Sequence, residues 1–221
     1  MTLAPSAPTS APSLSAAMRE GSMAEHAAAE SSAFLVELLA GRVTEEGYAT
    51  YLARLRAVYE ALERVAAAQA GDPLVDAVRD PALERLARID ADLAVWSPGA
   101  AAPASPATAR YVARIENAAA WGGLFLAHHY TRYLGDLSGG QAIGRILQRT
   151  YGRGEEGVAF YAFPAIAKLK PYKDDYRARL DAAGLDASQV GRVVAEVRVA
   201  FGLNQALFSE LGTELPRYRR G

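Results

Sequence analysis

Apolar side chains recur at steps of three and four through almost the whole chain, and this periodicity alone excludes most folds. Behind Thr44, an N-cap residue type, Tyr48, Tyr51, Leu52, Leu55, Tyr59, Leu62 and Ala66 fall on one helical face. Ala195, Val199, Leu203, Ala206 and Leu207 repeat the pattern near the C-terminus. The spacing predicts helices at about 15–31, 33–40, 44–69, 81–96, 107–149, 171–183 and 188–211. Breaks are supplied by Gly41, Gly71-Asp72-Pro73, Ser97–Pro106, Gly152–Gly157 and Gly184. No segment alternates with the period of two that a half-buried strand requires, so the expected class is all-α. A chain of 221 residues is long enough to bury one core and is expected to form one domain over 14–215. It is preceded by an Ala/Pro/Ser/Thr tail over 1–13, unable to pack, and followed by a short basic tail over 216–221. Ser97–Pro106 reads as a surface loop.

The side chains available for chemistry are few. There is no Cys, which excludes disulfides, thiolate-held metal and a thiol nucleophile, and only three His are present. His128 and His129 are adjacent, point in different directions on a helix, and are expected to be structural or solvent-facing. No Glu-x-x-His occurs, which weighs against a di-iron carboxylate bundle. Lys and Arg total 24 against 25 Asp and Glu, a net charge of −1 that argues against nucleic acid or an anionic membrane as partner. No window approaches the roughly 18 apolar residues of a membrane span, and the first residues lack the pattern of a secretory leader. The expectation is a cytoplasmic protein without a membrane anchor.

One segment breaks the helical rule. Tyr130-Thr131-Arg132-Tyr133-Leu134-Gly135-Asp136-Leu137-Ser138-Gly139-Gly140-Gln141 places three glycines between helix-forming residues, each costing about 1 kcal/mol relative to Ala inside a helix. A turn between two helices would account for them. Against that, Ile143, Ile146, Leu147 and Thr150 resume the helical spacing at once. A kinked helix approached by a flat body explains the glycines better, because without Cβ atoms a ligand can touch the backbone. Leu137–Gln141 also reads like the signature of ABC-type ATPases. Those enzymes need a phosphate-cradling loop ending in Gly-Lys, and no Gly-Lys pair occurs here.

The longer string, with Ala127, Tyr130, Arg132 and the run Tyr133–Gln141, resembles the distal-helix motif of haem oxygenases. The resemblance extends along the chain. Glu25-His26-Ala27-Ala28-Ala29-Glu30 is similar to the proximal helix, Phe160–Ile166 and Tyr176–Arg179 to later helices, and Ala200–Phe208 to the last. It implies a multi-helix fold in which haem lies between a proximal helix and a glycine-kinked distal helix. It further implies oxygen-dependent cleavage of haem b, both cofactor and substrate, to biliverdin, carbon monoxide and ferrous iron. Dioxygen would be the co-substrate. Electrons would come from a ferredoxin, flavodoxin or reductase, since the chain has no flavin or nicotinamide fingerprint, and a bilin-accepting protein is a further expected partner.

The residues the resemblance singles out can be read beside their ordinary explanations. His26 falls where the proximal iron ligand is implied, although a lone His on such a helix is more often a surface or core residue. Glu30, four residues on, can accept the ring N–H not used for metal and fix the tautomer. Arg19 lies nearly two helical turns before His26, about 10 Å along the same face. Arg19, Lys173, Arg177 and the Tyr130 hydroxyl are implied to face the propionates, though any one charge taken singly is as well explained as a solvated face. Met23 stands where the mammalian pattern often has lysine, which would weaken that grip. Gly135, Gly139 and Gly140 leave the backbone open around Asp136, and the resemblance implies that Asp136 anchors waters that deliver protons to bound dioxygen. Arg132 and Tyr59 are expected to support it. Phe201 and Asn204 match positions near the haem edge. A non-catalytic haem carrier or sensor of the same fold would share these residues. A thiaminase-like hydrolase of similar architecture would need the cysteine nucleophile this chain lacks.

Overall fold

The computed structural model describes residues 12–99 and 103–220. Residues 1–11 of the expected tail and 100–102 of the expected loop lie outside them. Among the described residues there is no strand, only an isolated antiparallel bridge between Val43 and Arg219. The helices are α1 Leu14–Gly21, α2 Met23–Glu30, α3 Ala33–Leu39, α4 Glu45–Ala68, α5 Pro73–Asp76, α6 Leu86–Trp96, α7 Pro106–Asn117, α8 Gly122–His129, α9 Gln141–Tyr151, α10 Leu169–Asp181, α11 Ala187–Thr213 and α12 Leu215–Tyr218.

Two long helices organise the molecule. Thr44 caps α4 by accepting the Gly47 N–H at 3.2 Å, and Asp186 opens α11 with a capping box, exchanging hydrogen bonds with Gln189. Such a cap contributes about 0.5–2 kcal/mol. The face of α4 read from the sequence is the buried one: Tyr48, Leu52, Leu55, Tyr59 and Leu62 are fully inaccessible. Truncating Leu55 to Ala there would cost roughly 2–5 kcal/mol. Helix α4 packs on α6 and α7; α11 packs on α8, α7, α2, α1 and α3. Helices α7 and α8 therefore bridge the two long helices.

Several expected boundaries differ. The helix expected at 15–31 is broken at Ser22, where φ is −125°. A Cβ on Gly21 would come 2.5 Å from Val194 Cγ1, so the chain turns where α11 lies against its backbone. The run expected at 107–149 is interrupted at Ala118–Ala120, a 3-10 turn, and at Trp121, which is extended. Gly122 lies against the Asp72 carboxylate and Gly123 against the Trp121 indole, contacts that a side chain on either would prevent. Residues 216–220 are docked and do not form a tail. Tyr218 is buried, donates to Glu214 at 2.8 Å, and its carbonyl accepts the Thr44 N–H at 2.7 Å.

Both adjacent histidines are interior, so neither faces solvent. His128 Nε2 meets Glu196 Oε1 at 2.8 Å, and Arg114 Nε donates to the same oxygen at 2.7 Å, tying α8, α11 and α7 together. Burial would raise Glu196, but the hydrogen bonds from His128 and Arg114 bring it down to about 2. His129 Nδ1 lies 2.9 Å from the Tyr176 hydroxyl, and burial, with Arg179 nearby, pushes the imidazole down to about 3.

Candidate active site

A cleft opens between α2 on one side and the chain following α8 on the other, floored by α11. Helix α2 supplies His26 and Glu30, with Nδ1 3.6 Å from Glu30 Oε2; the side chains are 54% and 67% exposed. A carboxylate on Nδ1 leaves Nε2 for a metal. The Phe201 ring of α11 stands edge-on to the imidazole at 5.4 Å and 74°, which limits its rotation. Because α1 and α2 are separate helices, the straight two-turn rise expected between Arg19 and His26 does not exist. Both nevertheless line the cleft. The break is held by Ser22 Oγ donating to the Met18 carbonyl at 2.7 Å and by Arg198 Nε donating to the Gly21 carbonyl at 2.5 Å.

The opposite wall continues from α8 as two π-helical segments, Tyr130–Leu134 and Asp136–Gly140, before α9. The glycines there divide into two kinds. A Cβ built on Gly135 or Gly139 meets no atom within 4 Å, so both present bare backbone to open space in the cleft. Gly140 differs, since its Cβ would come 3.0 Å from Tyr161 Cδ1. Its missing side chain accommodates a protein ring, while its backbone lines the inner chamber beside Gly135 and Gly139.

Behind this wall lies a closed polar network. The Tyr59 hydroxyl donates to Asp136 Oδ2. Arg132 donates to the Tyr59 oxygen through Nε at 3.2 Å and Nη2 at 3.0 Å, to Asp136 Oδ1 through Nη2 at 3.4 Å, and to Asn204 Oδ1 through Nη1 at 2.9 Å. All four residues are buried. Burial raises Asp136 above the ordinary carboxylate range, while Arg132 and the Tyr59 hydroxyl draw it back. Burial drives the Tyr59 hydroxyl well up. Breaking such a network strands a buried charge, at a cost of about 3–5 kcal/mol.

At the outer end, Arg19, Tyr130 and Arg177 line the cleft together. Burial raises the Tyr130 hydroxyl, opposed by the nearby Arg177 and Arg19 charges. Arg177 is shared with Asp174 at 3.2 Å. Lys173 does not line the cleft but donates to Ser138, which does, at 3.2 Å.

The cleft has an inner chamber of about 680 Å³ and an outer one of about 340 Å³ that share His26, Thr131, Gly135, Ser138 and Phe201. Each lies within the range of about 300–1,000 Å³ usual for small-molecule sites. Sequence reasoning missed much of the inner wall: Leu35, Leu39, Tyr51, Ile143, Phe160 and Tyr161. Met23 and Leu39, at the mouths, are 63% and 40% exposed, apolar surface that a flat apolar ligand would cover. Among the described residues no three His, Asp or Glu side chains converge as a metal site. Iron here would need equatorial ligands of its own, and the apolar slot, single imidazole and cationic mouth fit a haem.

The comparisons agree with this geometry. The family model described as "Heme oxygenase" matches residues 12–210, and the chain belongs to the haem oxygenase family, a family of oxidoreductases. It is 38% identical to heme oxygenase 1 of Pongo abelii over 205 residues, covering 90% of this chain and 71% of that protein. It is 34% identical to heme oxygenase 1 of Synechocystis sp. over 202 residues, covering 90% and 84%. The crystal structure of Synechocystis heme oxygenase-1 in complex with heme superposes with a TM-score of 0.88 at 33% identity, over 93% of this chain and 95% of that one. The structure of heme oxygenase from Leptospira interrogans gives 0.85 at 36% identity, over 90% and 100%. Among the described residues no helix is long and apolar enough to cross a membrane.

Proposed function

We propose that this protein cleaves haem to biliverdin with dioxygen, releasing carbon monoxide and ferrous iron, on electrons from a ferredoxin, flavodoxin or reductase. One observation carries the reading. Bare backbone at Gly135 and Gly139 faces a cleft whose opposite wall bears His26, with the Asp136 network directly behind the glycines. Bound haem supplies the redox iron and the carbon framework that is oxidised. The protein's part is to hold, orient and supply protons. His26 Nε2 would ligate the iron while Glu30 keeps the proton on Nδ1. Arg19, Arg177 and Tyr130 would take the propionates, with Lys173 at the same edge. The missing Cβ atoms leave room above the macrocycle for a small diatomic and for ordered water. Asp136 Oδ2 is occupied by Tyr59, but Oδ1 has only the long contact to Arg132 and keeps a lone pair for a water molecule. A water held on Oδ1 would stand in the cleft, placed to relay protons toward the bound diatomic. Dependence on a reduced donor supports a cytoplasmic setting.

The test is an absorption series on the purified protein after adding haem, then reductant in air. Loss of the Soret band with growth of biliverdin absorbance is expected. Intact haem after reductant and oxygen would replace this reading with that of a carrier or sensor.

A further inference from the structure

Helix α6 carries two buried ions that the chemistry above does not use. Arg85, at its N-cap, and Asp92 are each 1% exposed, and neither forms an ion pair among the described residues. An unpaired buried ion is costly unless its hydrogen bonds are satisfied. Both are satisfied here largely by one loop. Asp92 Oδ1 accepts the Ala159 N–H and Oδ2 the Phe160 N–H, both at 2.8 Å. Arg85 Nη1 donates to the carbonyls of Phe160 at 3.2 Å and Ala162 at 2.6 Å, while Nε and Nη2 tie the guanidinium to Leu83 and Ala82. Its guanidinium also stacks 4.0 Å from the Phe163 ring centroid. The anion takes the loop's N–H groups and the cation takes its carbonyls. A third residue of α6, Trp96, donates to the Gly157 carbonyl at 2.6 Å.

The clamped loop forms part of the inner wall of the cleft. Phe160 meets the Tyr59 ring edge-on at 5.4 Å, and Tyr161 is the ring that packs against Gly140 and Gly144. Gln141 Nε2 donates to the Tyr161 carbonyl at 2.5 Å, joining the loop to the start of α9. The backbone N–H groups of Arg85 and Leu86 donate to Glu63 Oε1 at 2.6 and 2.9 Å, so α6 itself is anchored to the helix that carries Tyr59.

We infer that Arg85 and Asp92 are positioning residues for haem cleavage: by gripping the backbone of Ala159–Ala162 from both polarities they fix Phe160 and Tyr161, and thereby how deeply haem seats and which edge it offers to Asp136. The inference rests on the proposed haem-cleaving function, but its first readout does not depend on turnover. The experiment loads full-length protein with haem and follows haem transfer to excess apomyoglobin. It compares Asp92→Ala, Asp92→Asn and Arg85→Lys with Ile115→Ala, a core truncation on α7 away from the cleft, at temperatures equally far below each melting point. Lysine cannot reproduce the guanidinium fork, and Asn turns an N–H₂ toward a backbone N–H. Haem release is expected to rise roughly tenfold in the clamp variants, at the low end for residues that orient a ligand's contacts, and to stay at the parent rate in Ile115→Ala. With reductant and oxygen, the clamp variants should also shift the ratio of biliverdin isomers. Release rates that match those of Ile115→Ala in every clamp variant that folds would overturn the inference. Absence of biliverdin from the parent protein would instead overturn the functional reading.

Discussion

On the α2 side of the cleft, His26 and Glu30 are more than half exposed and are fixed by one edge-on ring and one loose carboxylate contact. On the opposite side, Arg132, Asp136 and Asn204 are each less than a tenth exposed, Tyr59 is fully enclosed, and hydrogen bonds join all four. The first wall is left incomplete until something covers it, whereas the second is assembled without a ligand. Where a ligand brings its own binding energy, the protein has only to offer a contact. Where a proton must be handled in a confined space, the protein has to build the surroundings beforehand.

That contrast can be broken most severely at His26. His26→Ala is expected to abolish histidine ligation and turnover while leaving the melting temperature almost unchanged, since an exposed substitution away from packing costs within about 0.5 kcal/mol. A histidine-type haem spectrum from this variant without added imidazole would refute the assignment. Asp136→Ala should do the converse, with haem still bound, biliverdin formation lost and stability lowered by about 3–5 kcal/mol because Arg132 loses its anion. Unchanged biliverdin yield would remove Asp136 from the mechanism.

Within the glycine wall, two substitutions of identical chemistry should act with opposite sign. Gly139→Ala adds helix propensity worth about 1 kcal/mol and meets nothing in the ligand-free protein. It should therefore raise the melting temperature and weaken haem binding. Gly140→Ala gains the same propensity but presses on the buried, backbone-clamped Tyr161 ring, an overpacking cost of about 1–3 kcal/mol that should lower the melting temperature. The pair is read by scanning calorimetry and haem titration, and the same sign of stability change in both would show that the two glycines do not divide as described.

Away from the cleft, the effect for His129 is confined to acid and is absent at neutral pH. Glu196, brought down to about 2, contributes stability that is complete above the ordinary value of 4.5 and lost as pH falls from there to about 2. His129 stays neutral in the fold to about 3, so below its ordinary 6.5 the unfolded chain takes up the proton first and stability declines over that interval. The urea midpoint of Glu196→Gln should lie below that of the parent at pH 7 and converge with it near pH 2. His129→Phe should flatten the decline between 6.5 and 3.

The covered face of α4 and its Thr44 cap were legible because one helix repeats its pattern locally. The glycine-rich segment was legible because its composition violates helix propensity so openly. The break at Ala118–Trp121 was hidden behind three alanines, the best helix formers, and its visible signal was the Gly122-Gly123 pair that follows. Asp186-x-x-Gln189 carried the capping-box pattern that sets the true start of α11. The apolar part of the inner wall was not legible. Leu35, Tyr51, Ile143 and Phe160 meet only in the folded chain, and each looks like ordinary core in its own helix or turn. Lys173 and Gly140 show the limit from the other side, since the resemblance set both at the site and only the folded chain shows Lys173 held on Ser138 and Gly140 packed under Tyr161.

The paired π-helical segments of the distal wall have a consequence for how this cleft could be altered. A π turn accommodates one residue more than an α turn does, so the girth of the helix between Tyr130 and Gly140 is a matter of residue count. Substitutions change what the wall is made of and leave that count untouched. A deletion of one residue in this stretch would narrow the helix and swing everything beyond it by about 100°, carrying Asp136 or Gly139 off the cleft without changing any side chain. The spacing across the slot is thus written in the length of the chain, and insertions and deletions are the changes that would rewrite it.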